Sequence, residues 1–365
     1  MRIPLPSHLA CFGLMLFIAS RLFAEPLAQD YTVVFHNPDP EYYVEGPGLV
    51  RLDEGALIAV VPIVPRAEWT AARRVEHSVT HILRSDDGGR TWSEPITLFK
   101  GHFWNCHTGM AVSDRHLYWA VDDLSLGVKR GPRAIVGDLS GDVMNPSAWR
   151  MSEPVPFPGV PEALTNPKFA ELPSQYLEPN VINVRGHLRV LATVKPKRQS
   201  TAGLCAVLDL NDDGGKLDLK FAQFHPMPGG QLKFCVQRDE VSQMFWTTAN
   251  LAVDSQGAFG WWAAGEKRGN FAFASGLGGN DRRFLMLLYG VDGLNWFQAG
   301  CVAQAGKISQ SFMYARPVID GNDLAIIARS SVNAPNQRDA DCATFHRVRD
   351  FRKLALKLTP EPEDK

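Results

Sequence analysis

Five stretches of the chain place apolar, β-rich residues on both sides of a tight polar turn: Gly46–Val60, Thr108–Val121, Glu178–Thr193, Lys233–Thr248 and Tyr314–Arg329. That is the pattern of a β-hairpin. The turns of the later four fall near Ser113-Asp114, Arg185-Gly186, Arg238-Asp239 and Asp320-Gly321-Asn322-Asp323. Each interval between hairpins leaves room for a second hairpin, and Trp92, Trp149 and Trp296 recur near the ends of units. Helical periodicity is missing from most of the chain, which excludes a βα barrel. Four-stranded units repeated in this way predict an all-β chain folded as a single β-propeller over residues 31–352, followed by a polar tail from 353 to 365. Five repeats are countable. A sixth, degenerate blade is expected in the long stretch from Ala249 to Arg283. Tyr31–His36 reads as an orphan strand that closes the ring against the C-terminal strand around Thr344–Val348.

Composition narrows the class. Of 365 residues, 45% are hydrophobic and 21% charged, and 38 basic against 39 acidic side chains leave no net basicity. A nucleic-acid partner would call for a basic excess or stripe. No internal apolar run reaches the roughly 18–20 residues of a membrane span. The first 24 residues have the layout of a secretory signal peptide: Arg2, an apolar run from Leu9 to Ala19, and Leu22-Phe23-Ala24 before Glu25-Pro26. A chain cleaved near Ala24 and secreted or periplasmic is therefore expected, and a monomer. Cys106, Cys205, Cys235, Cys301 and Cys342 would remain, an odd number without a CxxC pair, so disulfides and buried thiols both stay open. No histidine pair has metal-ligand spacing, and neither a metal nor a cofactor is expected.

The most specific motif is Ser85-Asp86-Asp87-Gly88-Gly89-Arg90-Thr91-Trp92. It fits Ser-x-Asp-x-Gly-x-Thr-Trp, the Asp box. The oxygens of Ser85, Asp87 and Thr91 suit a turn that ties its own amides, its glycines tolerate positive φ, and Trp92 suits a wedge between sheets. Weaker echoes occur at Val291–Trp296 and Asn145–Trp149, with a loose aspartate-glycine turn at Asn211–Gly215. In these features the chain resembles the sialidase superfamily of Asp-box propellers. In that family the box is structural, and Asp87 receives no catalytic role.

An Asp box lies between the third and fourth strands of a blade. Segments entering first strands, and loops joining second to third strands, therefore lie on the opposite face. Sialidases in general hold the substrate carboxylate with three arginines, protonate with an aspartate, and attack with a tyrosine that a glutamate activates. The resemblance places the nucleophile at Tyr314 and its activating carboxylate at Glu178. Lys195 stands near the second arginine and Arg283, or its neighbour Arg282, near the third. At the first arginine position the chain has Glu45, a departure from the family; Glu45 is counted in the substrate-binding set and, with Glu76, is a candidate proton donor. In the loop of the acid/base aspartate it has Glu68, Glu76 and His77, of which Glu76 and His77 are the candidates. Arg66, His107 and Arg316 complete the expected substrate-binding set, and Trp104, Trp261 and Trp262 are candidate sugar platforms.

Three functions follow. The first is a secreted glycoside hydrolase that removes a terminal, acidic sugar from a glycan. The second is a polysaccharide lyase acting beside a uronic acid, with His77, His107 or Tyr314 as base. The third is a propeller that binds glycans without turnover, since a fold does not fix a function.

Overall fold

A computed structural model describes residues 24–66, 74, 76–101, 110–122, 131–141, 149–162, 175–195, 203–230, 232–252 and 281–358. The expected signal peptide, His107, Cys106 and the tryptophans at 104, 261 and 262 lie outside them. The described strands make five antiparallel sheets. Blade one is β2 (Tyr42–Val44) and β3 (Gly48–Arg51) against β4 (Leu57–Pro65), then β5 (Val79–Ser85) and β6 (Ile96–Lys100). Blade two is β7 (Met110–Ser113), β8 (His116–Asp122), β9 (Pro132–Asp138) and β10 (Trp149–Met151). Blade three is β11 (Gln175–Val184), β12 (His187–Lys195), β13 (Leu204–Asp212) and β14 (Leu217–Pro226). Blade four is β15 (Cys235–Asp239), β16 (Met244–Asn250), β17 (Phe284–Gly290) and β18 (Phe297–Gln304). Blade five is β19 (Ser311–Asp320), β20 (Asp323–Ser331), β21 (Cys342–Val348) and, as outer strand, β1 (Thr32–His36).

Each of the five expected hairpins is the inner pair of a blade. The expected sixth blade is not among the described strands: residues 253–280 of the stretch proposed for it lie outside the described residues, and the strands that flank them, β16 and β17, belong to one sheet, with Asn250 paired to Leu285. The orphan strand does close the ring, with Thr32 opposite Phe345 and His36 opposite Cys342. A short 3-10 helix at Phe351–Leu354 buries Phe351 edge-on to Trp246 at 4.8 Å, and Leu354, Ala355 and Leu358 pack on the same cluster.

The core lies between blades. Apolar clusters join blades four and five, five and one, two and three, and three and four. Middle strands are covered on both faces, so β16 and β20 are almost wholly buried and read as continuous apolar runs rather than alternating ones.

The Ser85–Trp92 turn folds as its residue types require. Asp87 accepts the amides of Arg90 and Thr91, each at 3.0 Å, and the Thr91 hydroxyl at 2.7 Å. These bonds, the Thr91 amide foremost, hold the Asp87 carboxyl down at about 2. Gly89 has φ +87°, and a Cβ there would stand 2.2 Å from the Phe345 ring of blade five. Trp92 meets that ring edge-on at 5.7 Å. The echo in blade four repeats the device: Asp292 accepts the amides of Leu294 and Asn295, and Gly293 sits against Ile182 of blade three. These turns clamp one blade to the next, a structural task.

Two predictions follow from this packing. Gly89→Ala must distort both its backbone and Phe345, and should cost about 2–4 kcal/mol of unfolding free energy, read by denaturant titration. His346 is wholly buried, with Nδ1 2.9 Å from the Ala28 carbonyl and Nε2 3.0 Å from the Thr344 hydroxyl, bonds that a neutral ring satisfies. Burial pulls its pKa down to about 4 from the ordinary 6.5. The unfolded chain therefore takes up this proton first, and stability is lost as pH falls from 6.5 towards 4, by about 3 kcal/mol in all. Melting curves across that range should show the loss in the native sequence and not in His346→Asn.

Candidate functional site

The inner strands β7, β11, β15, β19 and β3 neighbour one another in that order about the axis. In blades three, four and five the regular part of the inner strand is five residues long: Asn180–Val184, Cys235–Asp239 and Arg316–Asp320. Two residues before each stand Glu178, Lys233 and Tyr314. These three side-chain positions are thus equivalent, at the strand-entry end and on the face opposite the Ser85–Trp92 turn. In β11 and β19 the ladder is interrupted there by a bulge. Glu178 has φ +53° and Tyr314 φ +52°. A left-handed backbone at a non-glycine residue of this size costs on the order of 1–3 kcal/mol, and such strain gathers at functional sites.

Cations surround Tyr314. The guanidinium of Arg329 lies 5.1 Å from the ring centroid, Lys233 Nζ 5.4 Å and the guanidinium of Arg282 5.8 Å. Arg329 reaches in from β20. Its Nη1 donates to Glu45 Oε1 at 2.6 Å, its Nη2 donates to the Arg338 carbonyl, and its other face lies 4.7 Å over Tyr43. Glu45 occupies the break between β2 and β3 and is 6% exposed. The departure from the family's first arginine thus has a physical resolution: Glu45 is the counter-ion of a buried arginine, and is committed as such rather than offered to a substrate or to proton donation. Tyr43 accepts from Arg74 at 2.7 Å, and burial raises its phenol pKa.

Arg282 precedes β17. Its amide donates to Gln337 Oε1 at 3.0 Å, and Asn250 bonds its carbonyl as well as that of Phe312. Burial lowers the Arg282 pKa; Tyr314 and Glu178 oppose that, while Arg329 and Arg338 reinforce it. Glu178, 5% exposed, receives the Thr193 hydroxyl at 3.4 Å, and Asn180 bonds the Glu178 and Phe234 carbonyls, joining blades three and four.

The remaining candidates are dispersed. Arg283 forms a two-pronged pair with Asp281 at 2.7 and 3.0 Å, so Arg282 and not Arg283 faces Tyr314. Arg66 pairs with Asp339 at 3.7 Å. Arg316 lies inside the ring of inner strands and donates to Cys235 Sγ at 3.2 Å. Glu76 and His77 are exposed on the connection between β4 and β5. Lys195 ends β12, its backbone opposite Gln175. Lys233, Arg329 and Tyr43 were not singled out as site residues from the sequence, and Arg282 was named only as the alternative to Arg283. Lys233 had a visible signal, because Leu177-Glu178, Leu232-Lys233 and Met313-Tyr314 stand at matching positions of successive hairpins.

Among the described residues, His36, Asp341 and Cys342 bring ligand atoms within 4.8 Å of one another. The arrangement suits a cation poorly. Asp341 already accepts the Val332 and Asn333 amides at 2.7 and 2.9 Å, and burial, with Asp341 beside it, pushes the Cys342 thiol up to about 12.

No family model and no curated protein matches the chain. Solved structures match over most of its length. A Trypanosoma rangeli sialidase in complex with sialic acid is 12% identical over 88% of this chain, with a TM-score of 0.44; the chain spans only 47% of that protein. A Dyadobacter fermentans protein of unknown function is 11% identical over 88% of this chain and 99% of its own, with a TM-score of 0.49. A Penicillium chrysogenum α-L-arabinanase complexed with arabinobiose is 12% identical, covering 89% and 99%, with a TM-score of 0.42. At such identities the likeness concerns the propeller fold and not a reaction.

The Glu45–Arg329 pair gives a direct test of this site's electrostatics. Removing one partner of a buried ion pair strands the other, so Glu45→Gln should cost about 3–5 kcal/mol, with Glu45→Gln/Arg329→Met recovering much of it. Chemical denaturation of the four proteins in the cycle measures both.

Proposed function

We propose that the protein is an exported, monomeric glycoside hydrolase that removes a terminal acidic sugar from a glycan at the axial end of its inner strands. The observation that carries this reading is the pairing of roles at equivalent positions. A tyrosine and a buried carboxylate hold the same strained register in blades five and three, with cations packed about the tyrosine ring. Tyr314 Oη would attack the anomeric carbon while Glu178 receives the phenolic proton, directly or through water. The neighbouring cations stabilise the phenolate as it forms. The departing glycosidic oxygen needs a proton, and Glu76, exposed at the loop after β4, is the candidate that remains once Glu45 is committed to Arg329. Water then releases the sugar from the tyrosyl intermediate. Strict specificity for sialic acid is no part of the proposal.

The test is a screen of the mature protein against sialosides and uronic-acid polysaccharides, following reducing ends and ultraviolet absorbance together. Reducing ends without a new chromophore are expected. Tyr314→Phe should abolish release, and Glu178→Gln should slow it about 10²–10⁴-fold, the usual worth of a positioned base. A rising ultraviolet signal would make the protein a lyase with Tyr314 or His77 as base. Binding without any turnover would make it a glycan-binding propeller.

A further inference from the structure

The bulge that gives Tyr314 its left-handed backbone also breaks the ladder around it. Met313 pairs with Arg329 and Arg316 with Ile327, so Tyr314 and Ala315 have no register partner in β20. A backbone carbonyl released in this way inside a core needs another donor. Blade four supplies it. The Thr248 hydroxyl, on β16, donates to the Ala315 carbonyl at 2.9 Å. Two residues further along β16, Asn250 Nδ2 donates to the Phe312 carbonyl at 2.7 Å. Tyr314 is thus bracketed, one residue after it and two before it, by bonds from the neighbouring blade. Residues i and i+2 of a strand point to one face, so β16 offers both groups to the same seam. Both residues are 1% exposed, and bulk water does not substitute for them. Asn250 also bonds the Phe284 carbonyl at 3.1 Å and that of Arg282, which accepts the Phe312 amide at 3.1 Å.

Glu178 is tied to the same blade. The buried Asn180 donates through Nδ2 to the carbonyls of Glu178 and Phe234, both at 3.2 Å, and its Oδ1 accepts the Val236 amide at 3.3 Å. Its carboxamide meets β15 on either side of Cys235 as the backbone of a neighbouring strand would. A continuous series of buried bonds therefore runs from Glu178 through blade four to Tyr314. We infer that Thr248 and Asn250 are positioning residues, which hold the strained Tyr314 backbone and so set the phenol against Glu178, with Asn180 fixing the other end. The inference rests on the proposed reaction at Tyr314. Thr248 and Asn250 act through the backbone of β19 and have no contact with the sugar to make. Apolar packing between blades is non-directional, whereas a hydrogen bond to one carbonyl fixes a distance and an angle of approach. A misplacement of about 1 Å, even from a change remote from the chemistry, costs about 10²-fold in rate.

The test uses the full-length mature protein and its variants Thr248→Val, Thr248→Ser, Asn250→Leu, Tyr314→Phe and Ser152→Ala. The 7 tyrosines are labelled with carbon-13 at Cζ, and the Tyr314 resonance is the one that Tyr314→Phe lacks. Thr248→Val removes the donor and keeps nearly the same shape. It should move or split that resonance, as should Asn250→Leu, while Thr248→Ser, which keeps the hydroxyl, should leave it in place. Ser152→Ala controls for lost stability alone. It deletes a buried hydroxyl of blade two that accepts the Ala134 amide at 3.0 Å, and should lower the melting temperature without moving the Tyr314 signal. On a glycan that is turned over, Thr248→Val should lower kcat about 10²-fold with KM little changed, and Thr248→Ser should recover most of that loss. Thr248→Val, the smaller change, decides the matter if Asn250→Leu does not fold. A Tyr314 resonance unmoved in Thr248→Val, despite a lower melting temperature, would overturn the inference. Turnover with kcat unchanged in Thr248→Val would do the same while leaving the hydrolase reading intact. A displaced resonance without turnover of any glycan by the native protein would uphold the positioning of Tyr314 and remove the hydrolase reading.

Discussion

Face-to-face packing of one twisted sheet on the next is the constraint from which the rest of this structure follows. No blade has a core of its own: the apolar clusters lie in the seams, so each sheet is stable only between neighbours. A stack of that kind needs closure, and β1 supplies it by pairing with β21 while Leu27 and Ala28 bond to the backbone of β18. Residues near the chain's beginning thus join blades four and five. Ion pairs at the turn end add directional links, Arg51 to Asp320 between blades one and five, and Arg150 to Asp212 between blades two and three.

The same packing decides where chemistry can sit. Inner strands are pinned by their hairpins, so their entry ends are fixed relative to one another, and side chains there converge on the axis from different blades. Bulges at Glu178 and Tyr314 re-aim those side chains at the expense of backbone strain, which the surrounding sheet over-determines. Into this rim the fold brings three cations, Arg329, Lys233 and Arg282, around the ring of Tyr314. Glu45 balances Arg329, and Glu178 acts on Arg282 as an opposite charge. A nucleophile-type residue crowded by cations beside a buried carboxylate is the conjunction that supports the proposed function.

Much of the scaffold was legible in the sequence because hairpins are local. Turn residues such as Arg185-Gly186 and Gly321-Asn322 sit between apolar runs of the right length, and each proved to be an inner turn of a blade. The Ser85–Trp92 turn was legible for the same reason: its hydrogen bonds close within eight residues. Blade count was not, because the stretch between β16 and β17 has the length of a further blade, and the sequence does not show that the strands on either side of it pair in one sheet. The equivalent placement of Glu178 and Tyr314 on successive inner strands was legible because it follows the repeat. The site was illegible where it depends on which arginine finds which carboxylate. Arg282 and Arg283 are adjacent, yet Asp281 captures one and leaves the other to face Tyr314. Glu45, an apparent obstacle to an anion, is cancelled by a residue 284 positions away.

The proposed function has a sugar bound at this rim beside Tyr314. A crystal structure of Tyr314→Phe soaked with an acidic disaccharide addresses it most directly. The expected density places the sugar at the axial end of the inner strands beside Glu178, with the anomeric carbon about 3–4 Å from where the phenolic oxygen would be, a near-attack distance. Sugar bound instead at the opposite face, as in the groove of about 420 Å³ lined by Asp114, His187 and Asp209 between blades two and three, would contradict the account.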